Sequence, residues 1–224
     1  MDNQHDLYKK TLQYLPLTDQ ACNLIKEVIL KGKYKPNQRL NEAELSSSLG
    51  VSRGPIRESL QRLAYDGLVK LVPNKGAFII SFSLKEIEDI YELREYLEVL
   101  AIRLAVERSN KSDLHKLSEL LKVVEKVIEK NQYVYYPWDS DYHLCIARST
   151  KNENIVNAIQ RLNAQTLLMR YMSGRRHGRA IEAFKEHFSI YEALCVRNSE
   201  RAQHLMTEHI RTSKENVTKI FQRV

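Results

Sequence analysis

The sequence predicts a mainly α-helical protein: an N-terminal winged helix-turn-helix joined to a C-terminal all-α six-helix bundle. Three observations carry this expectation. Three short helical patterns, the last two separated by Gly50, precede two β-prone runs around the turn Pro73-Asn74-Lys75-Gly76. From Ser83 onward no strand pattern is convincing, and six helical segments follow one another across short breaks. Four polar residues in that second half, Asp139, His143, His187 and His209, stand where the helical pattern calls for apolar ones.

The elements follow in order. Residues 1–16 read as a frayed arm. Thr18 or Asp19 can cap a first helix that runs to about Leu30, with Ala21, Leu24, Ile25 and Val28 on its apolar side. Gly32 ends it, and Pro36 keeps the chain extended. Asn41 caps a second helix, and Glu44 three residues later suggests a capping box. Gly50 stops that helix. Ser52 caps a third, with Pro55 tolerated in its first turn and Ile56, Leu60, Leu63 and Ala64 as the buried stripe. Gly67 closes it, and the runs Leu68–Val72 and Ala77–Ser81 form a hairpin. The later helices are expected near 84–108, 112–131, 135–149, 152–173, 178–196 and 199–222. The domains are therefore residues 1–82 and 83–224.

Composition narrows the class. The chain has 224 residues, 43% hydrophobic and 28% charged, which suits a globular protein with material for a core. No run of about 18 apolar residues exists, so no membrane span is expected. Met1 to Lys10 is too polar for a secretory signal. Cys22, Cys145 and Cys195 are an odd number without motif spacing, which reads as free thiols in a reducing cytoplasm. Net charge is +7, and the part through Phe82 holds 12 Lys+Arg against 8 Asp+Glu. An excess of positive charge suits nucleic acid without requiring it.

In a winged helix-turn-helix the start of the third helix enters the major groove of double-stranded DNA. Ser52, Arg53, Gly54 and Arg57 lie there, off the apolar stripe. The two arginines, a turn apart, can reach guanine O6/N7 or phosphates, and Ser52 with the helix N-terminus suits a phosphate oxygen. Lys75 and Gly76 at the wing tip suit the minor groove or the adjacent backbone. The alternative is that both arginines are solvated surface charges, Arg57 paired with Glu58 or Gln61.

In the second half, Asp139 and His143 are an i,i+4 pair and share one helix face. His187 lies between Phe184 and Tyr191, and His209 follows Leu205 and Met206. One carboxylate and three imidazoles aimed into a core need a partner that offsets desolvation, and a divalent metal is the natural one. Four separately hydrogen-bonded polar residues are the plainer alternative. The ligand set leaves the element open, with zinc, nickel and manganese leading. Cys145 is two residues from His143 and faces elsewhere. A metalloenzyme or a metal sensor carrying a winged-helix domain is the rival reading, but no His-Glu-x-x-His motif supplies a general base.

The stretch Leu49-Gly50-Val51-Ser52-Arg53-Gly54-Pro55-Ile56-Arg57-Glu58-Ser59-Leu60, with Leu63, Asp66-Gly67-Leu68-Val69 and Gly76, resembles the DNA-binding domain of the GntR family of bacterial transcription regulators. Glu92-Leu93-Arg94, Leu97-Glu98, Asp139 with His143, Glu186-His187 and Glu208-His209-Ile210 resemble its FCD effector domain, in the smaller six-helix variant. The resemblance covers nearly the whole chain. It departs at Gly54, where the family often carries Thr. It implies a homodimer on a short inverted repeat, usually a repressor, sensing a small carboxylate. It also implies that Asp139, His143, His187 and His209 hold the metal. Arg94, on the same helical side as Tyr91 and Ala101, then offers that carboxylate a bidentate seat. The competing role for Arg94 is an i,i+4 salt bridge to Glu98, worth about 0.5 kcal/mol on an exposed helix. Asn163, Gln165, Arg170 and Tyr171 are weaker effector candidates.

Overall fold

The structure, a computed structural model, describes residues 16–129, 137–172 and 177–222, without the side chains of 129, 137–140 and 177. The expected N-terminal arm lies outside the described residues. The chain divides into two compact units, Met1–Ser81 and Phe82–Val224. No helix among the described residues is long and apolar enough to cross a membrane.

The first unit holds α1 (Leu17–Leu30), β1 (Arg39–Leu40), α2 (Glu42–Leu49), α3 (Arg53–Tyr65), β2 (Val69–Val72) and β3 (Gly76–Ile79). The three helices and the hairpin appear where the sequence places them. The start of α1 differs: it follows Pro16, and neither Thr18 nor Asp19 caps it. Both reach instead to α3, Thr18 to Glu58 and Asp19 to Arg62, because α1 packs along α3 through Ala21, Ile25 and Ile29. Asn41 does cap α2, accepting from the Ala43 N–H at 2.9 Å. Glu44 accepts from the Asn41 side-chain amide at 3.1 Å. Gly50 has φ +66, which lets the chain turn into α3 without a Cβ clash.

The sheet has the order β1-β3-β2, all antiparallel. The two-residue strand β1 has no sequence signature of its own. It pairs Arg39 with Phe78 and Leu40 with Ala77. Leu40 and Ala77 are buried, so Arg39 stands on the outer face.

The second unit has helices and no strand among its described residues: α4 (Leu84–Arg108), α5 (Lys111–Glu129), α6 (Pro137–Ser149), α7 (Glu153–Met172), α8 (His177–Cys195) and α9 (Ser199–Phe221). Ser83 and Glu86 form a full capping box at the start of α4. α9 packs along α4, and Tyr91 meets Ser213 between them at 3.2 Å. α6 packs on α4, α5 and α7, while α8 packs on α4, α5 and α9. Arg197 donates to the Val106 and Ser109 carbonyls, satisfying orphan acceptors at the end of α4. The buried stripe of α4 runs through Ile87, Tyr91, Ala101, Ile102 and Ala105, and Arg94 and Glu98 interrupt it in mid-helix.

At the start of α5, Asn110 and Asp113 cap each other: the Asn110 N–H donates to Asp113 and the Asp113 N–H to Asn110. Lys151 adds two bonds to Asp113, at 2.7 and 2.8 Å. Burial pushes the Asp113 carboxyl up, but the Asn110 N–H and Lys151 outweigh it and hold the carboxyl below its ordinary value. A lowered native pKa stabilises above the ordinary aspartate range and loses that contribution as pH falls through the native value. Asp113→Ala is therefore expected to lower stability by about 1 kcal/mol at neutral pH. Urea unfolding curves of variant and wild type should converge as the solution is acidified towards about pH 2. A gap that stays constant with pH would show that the carboxylate is not the source.

Candidate metal centre and nucleic-acid interface

His143 comes from α6, His187 from α8 and His209 from α9, and all three are buried. Each stands on an inward helical position, as its spacing predicts. Packing brings their donor nitrogens within 4.8 Å of one another. His209 Nε2 lies 3.2 Å from both His143 Nε2 and His187 Nε2. Asp139 belongs to the first turn of α6, one turn before His143, but its side chain lies outside the described residues.

Neutral imidazole lone pairs that face each other at 3.2 Å repel, and a metal ion or a proton between them relieves that repulsion. The spacing fits a metal. Two nitrogens about 2.0–2.1 Å from a tetrahedral ion stand about 3.3 Å apart. Donor chemistry fits as well, since imidazole is a common ligand for zinc, nickel and manganese. Cys145 is half-buried outside this group, and burial pushes its thiol up.

Two of the rings are held from behind by a carboxylate. His143 Nδ1 and Glu98 Oε2 are 2.6 Å apart. The other Glu98 oxygen accepts from Arg94 Nε at 3.0 Å, and Arg94, Glu98 and His143 are all fully buried. Burial alone would push the Glu98 carboxyl up, but His143 and Arg94 beside it outweigh burial and hold the carboxyl below its ordinary value. His209 Nδ1 and Glu186 Oε2 are also 2.6 Å apart. Arg179 grips Glu186 with both terminal nitrogens, at 2.6 and 2.7 Å. Burial again raises and the hydrogen bonds from His209 and Arg179 lower the Glu186 carboxyl, with a net lowering. The His187 ring stacks on Tyr142 at 4.0 Å between centroids, and the Tyr142 hydroxyl donates to the His187 carbonyl at 2.8 Å.

The salt bridge weighed against effector contact for Arg94 is therefore present. Its partner Glu98 also belongs to the histidine cluster, so the exposed-helix magnitude does not apply. Tyr142 and Arg179 escape the sequence reading, and Glu186 enters it only within the family resemblance. Their only signals were proximity in sequence to His143 and His187 and, for Tyr142, an inward phase. Among the weaker effector candidates Asn163 is buried, and Gln165, Arg170 and Tyr171 are half-buried.

In the first unit, Ser52 occupies the N-cap position of α3 but makes no capping hydrogen bond, contrary to expectation. Its hydroxyl and the first-turn N–H groups face outward with Arg53, which makes no hydrogen bond or ion pair among the described residues. A Cβ at Gly54 would meet open space, so packing does not impose the departure from Thr. Arg57 is paired, but with Glu42 of α2 at 2.7 Å rather than with Glu58 or Gln61. Glu58 is taken by Thr18 and Arg62.

A groove of about 350 Å³ runs between α3 and the wing, bordered by Arg57, Gln61, Pro73, Asn74 and Gly76. At the wing, Lys75 is exposed. Gly76 has φ +97, and the Arg39 guanidinium lies 3.6 Å from where its Cβ would be. Arg39 is a cation the sequence reading passed over, because β1 was not foreseen.

Two family models match the chain: "Bacterial regulatory proteins, gntR family" over residues 17–79 and "FCD domain" over residues 89–212. The Bacillus subtilis (strain 168) "Uncharacterized HTH-type transcriptional regulator YdhC" is 30% identical over 220 residues, 96% of each chain. The Escherichia coli (strain K12) "HTH-type transcriptional repressor RspR" is 25% identical over 208 residues, 92% of this chain and 91% of that one. Among solved structures, E. coli McbR/YncC superposes with a TM-score of 0.77 at 23% identity, over 94% of this chain and 99% of that one. A GntR transcriptional regulator from Rhodococcus sp. RHA1 gives 0.76 at 21%, over 89% and 96%. These two structures share the fold. The named relatives are transcription regulators rather than enzymes. The chain belongs to the GntR family, as a DNA-binding transcription regulator whose second unit is an FCD domain.

Proposed function

We propose that the protein is a metal-containing, ligand-responsive regulator that acts as a homodimeric repressor and senses a small organic acid. The observation that carries this reading is the convergence of the His143, His187 and His209 Nε2 atoms at metal-ligand spacing. Asp139, one turn before His143, is the fourth ligand in this proposal. A divalent ion there, zinc, nickel or manganese, supplies Lewis acidity towards an acid's oxygens. Arg94, fully buried and joined to His143 through Glu98, is the proposed seat for the acid's carboxylate. An acid shifts DNA binding only if it favours one arrangement of the dimer over another. In support of a dimer, Leu93 and Tyr96 stand one turn apart on α4, 57% and 73% exposed. A two-fold dimer would place one winged helix on each half of a short inverted repeat. The relative RspR is named a repressor, which supports the same sign here.

On DNA, Arg53 and Arg57 are the proposed base-reading residues, with Ser52 and the α3 N-terminus on phosphate. Gly54 leaves room for close approach of the backbone. Lys75, Gly76 and Arg39 are the proposed wing contacts. Arg57 must leave or share Glu42 to reach a base, so Glu42 tunes its availability.

Two variants separate reading from holding. Arg53→Ala is expected to lose about 1–3 kcal/mol of discrimination at one base pair. Arg39→Ala should weaken all sequences alike and reduce the slope of log K against log salt by about 0.9. Identical sequence preferences in Arg53→Ala and wild type would remove the base-reading role. For the metal, His143→Ala should carry far less metal than wild type by elemental analysis after equal loading and dialysis. Equal content would contradict the proposed centre.

A further inference from the structure

We propose that Glu98 and Glu186 are positioning residues that fix the ring tautomers of His143 and His209, so that both Nε2 lone pairs face the centre between them. This rests on the metal reading above. Each carboxylate is acceptor-only when ionised, so the ring nitrogen 2.6 Å from it must be the one that bears hydrogen. That nitrogen is Nδ1 in both rings. In the neutral ring the proton on Nδ1 leaves Nε2 as a lone pair. Both Nε2 atoms point to the same place, 3.2 Å apart.

The two carboxylates reach this arrangement independently. Glu98 comes from α4 and pairs with Arg94 on its own helix, one turn away. Glu186 comes from α8 and pairs with Arg179, two turns away. Arg94 takes the Glu98 oxygen that His143 leaves, Arg179 grips both oxygens of Glu186, and each arginine offsets the carboxylate's charge. The result is two Arg–Glu–His chains, Arg94–Glu98–His143 and Arg179–Glu186–His209, that enter the cluster from different helices. Two such chains on one cluster exceed what an isolated buried histidine needs, which is a single acceptor. An oriented imidazole with raised basicity is what a metal ligand needs. His187 is positioned by other means, the stacked ring and hydroxyl of Tyr142.

Glu186 is the better one to test, because its side chain is 28% exposed and its loss leaves no fully buried charge. Cobalt(II) is titrated into metal-free, full-length wild type, Glu186→Ala and Glu186→Gln, and read by its visible absorption against a competing chelator. Ring tautomers are read by nitrogen-15 spectra of the metal-free proteins at about pH 9, above the ordinary histidine range. Wild type should show hydrogen on Nδ1 of His143 and His209. Glu186→Ala should bind cobalt about 10–100-fold more weakly, and the His209 hydrogen should move towards Nε2. Glu186→Gln keeps an acceptor for Nδ1–H, so it should retain the tautomer and most of the affinity. Cobalt affinity in Glu186→Ala equal to wild type, or hydrogen on Nε2 of His209 in wild type, would overturn the proposal. Wild type that shows both Nδ1–H signals but takes up no cobalt would support the tautomer assignment and sink the metal reading instead.

Discussion

A carboxylate buried without any solvent access has to be neutralised on both oxygens, and Glu98 is that carboxylate here. One oxygen takes Arg94 and the other His143, so α4 and α6 are tied at a fixed register. His143 in turn meets His209 of α9, and His209 meets His187 of α8 and Glu186 behind it. Four helices of the bundle therefore converge on one polar knot inside an apolar shell. Such a knot is a poor source of stability, because replacing buried ions by apolar residues is often neutral or stabilising. Stability of the fold therefore does not account for its place in mid-core.

The same chemistry explains why function and fold are separable in this chain. α4 packs along α9 with an apolar stripe of Ile87, Tyr91, Ala101, Ile102 and Ala105, and Arg94 and Glu98 add no apolar contact surface of that kind. In the first unit, the core of Ile25, Ile56, Leu60 and Leu63 sets α1 against α3, and leaves the outer side of α3's first turn without structural duty. Arg53 has no partner among the described residues, and Gly54 has open space beside it. A surface that is kept clear, basic and flanked by a wing suits a rod-like polyanion that supplies its own partners.

Much of this was legible in the sequence, because period and punctuation are local. The helices of both units follow from apolar spacing and from Gly and Asn stops, to within one or two residues where bounds are described. The three histidines were readable because each breaks an inward stripe. Other features depend on the tertiary neighbour. β1 is two residues long and exists only because β3 is beside it, so Arg39 could not be recognised as a wing residue. Thr18 and Asp19 looked like caps but serve α3. Glu186 enters the sequence reading only within the family resemblance, beside His187, and only the approach of α9 reveals it behind His209. Glu98 was visible as the partner of Arg94; its second oxygen, on His143, was not.

Zinc-edge anomalous diffraction from crystals of the zinc-loaded protein would locate the ion itself. The account predicts one strong peak per chain, about 2.0–2.1 Å from the Nε2 atoms of His143, His187 and His209. A peak elsewhere, or none there while the three rings keep their mutual contacts, would contradict it and leave the cluster as a proton-sharing polar knot.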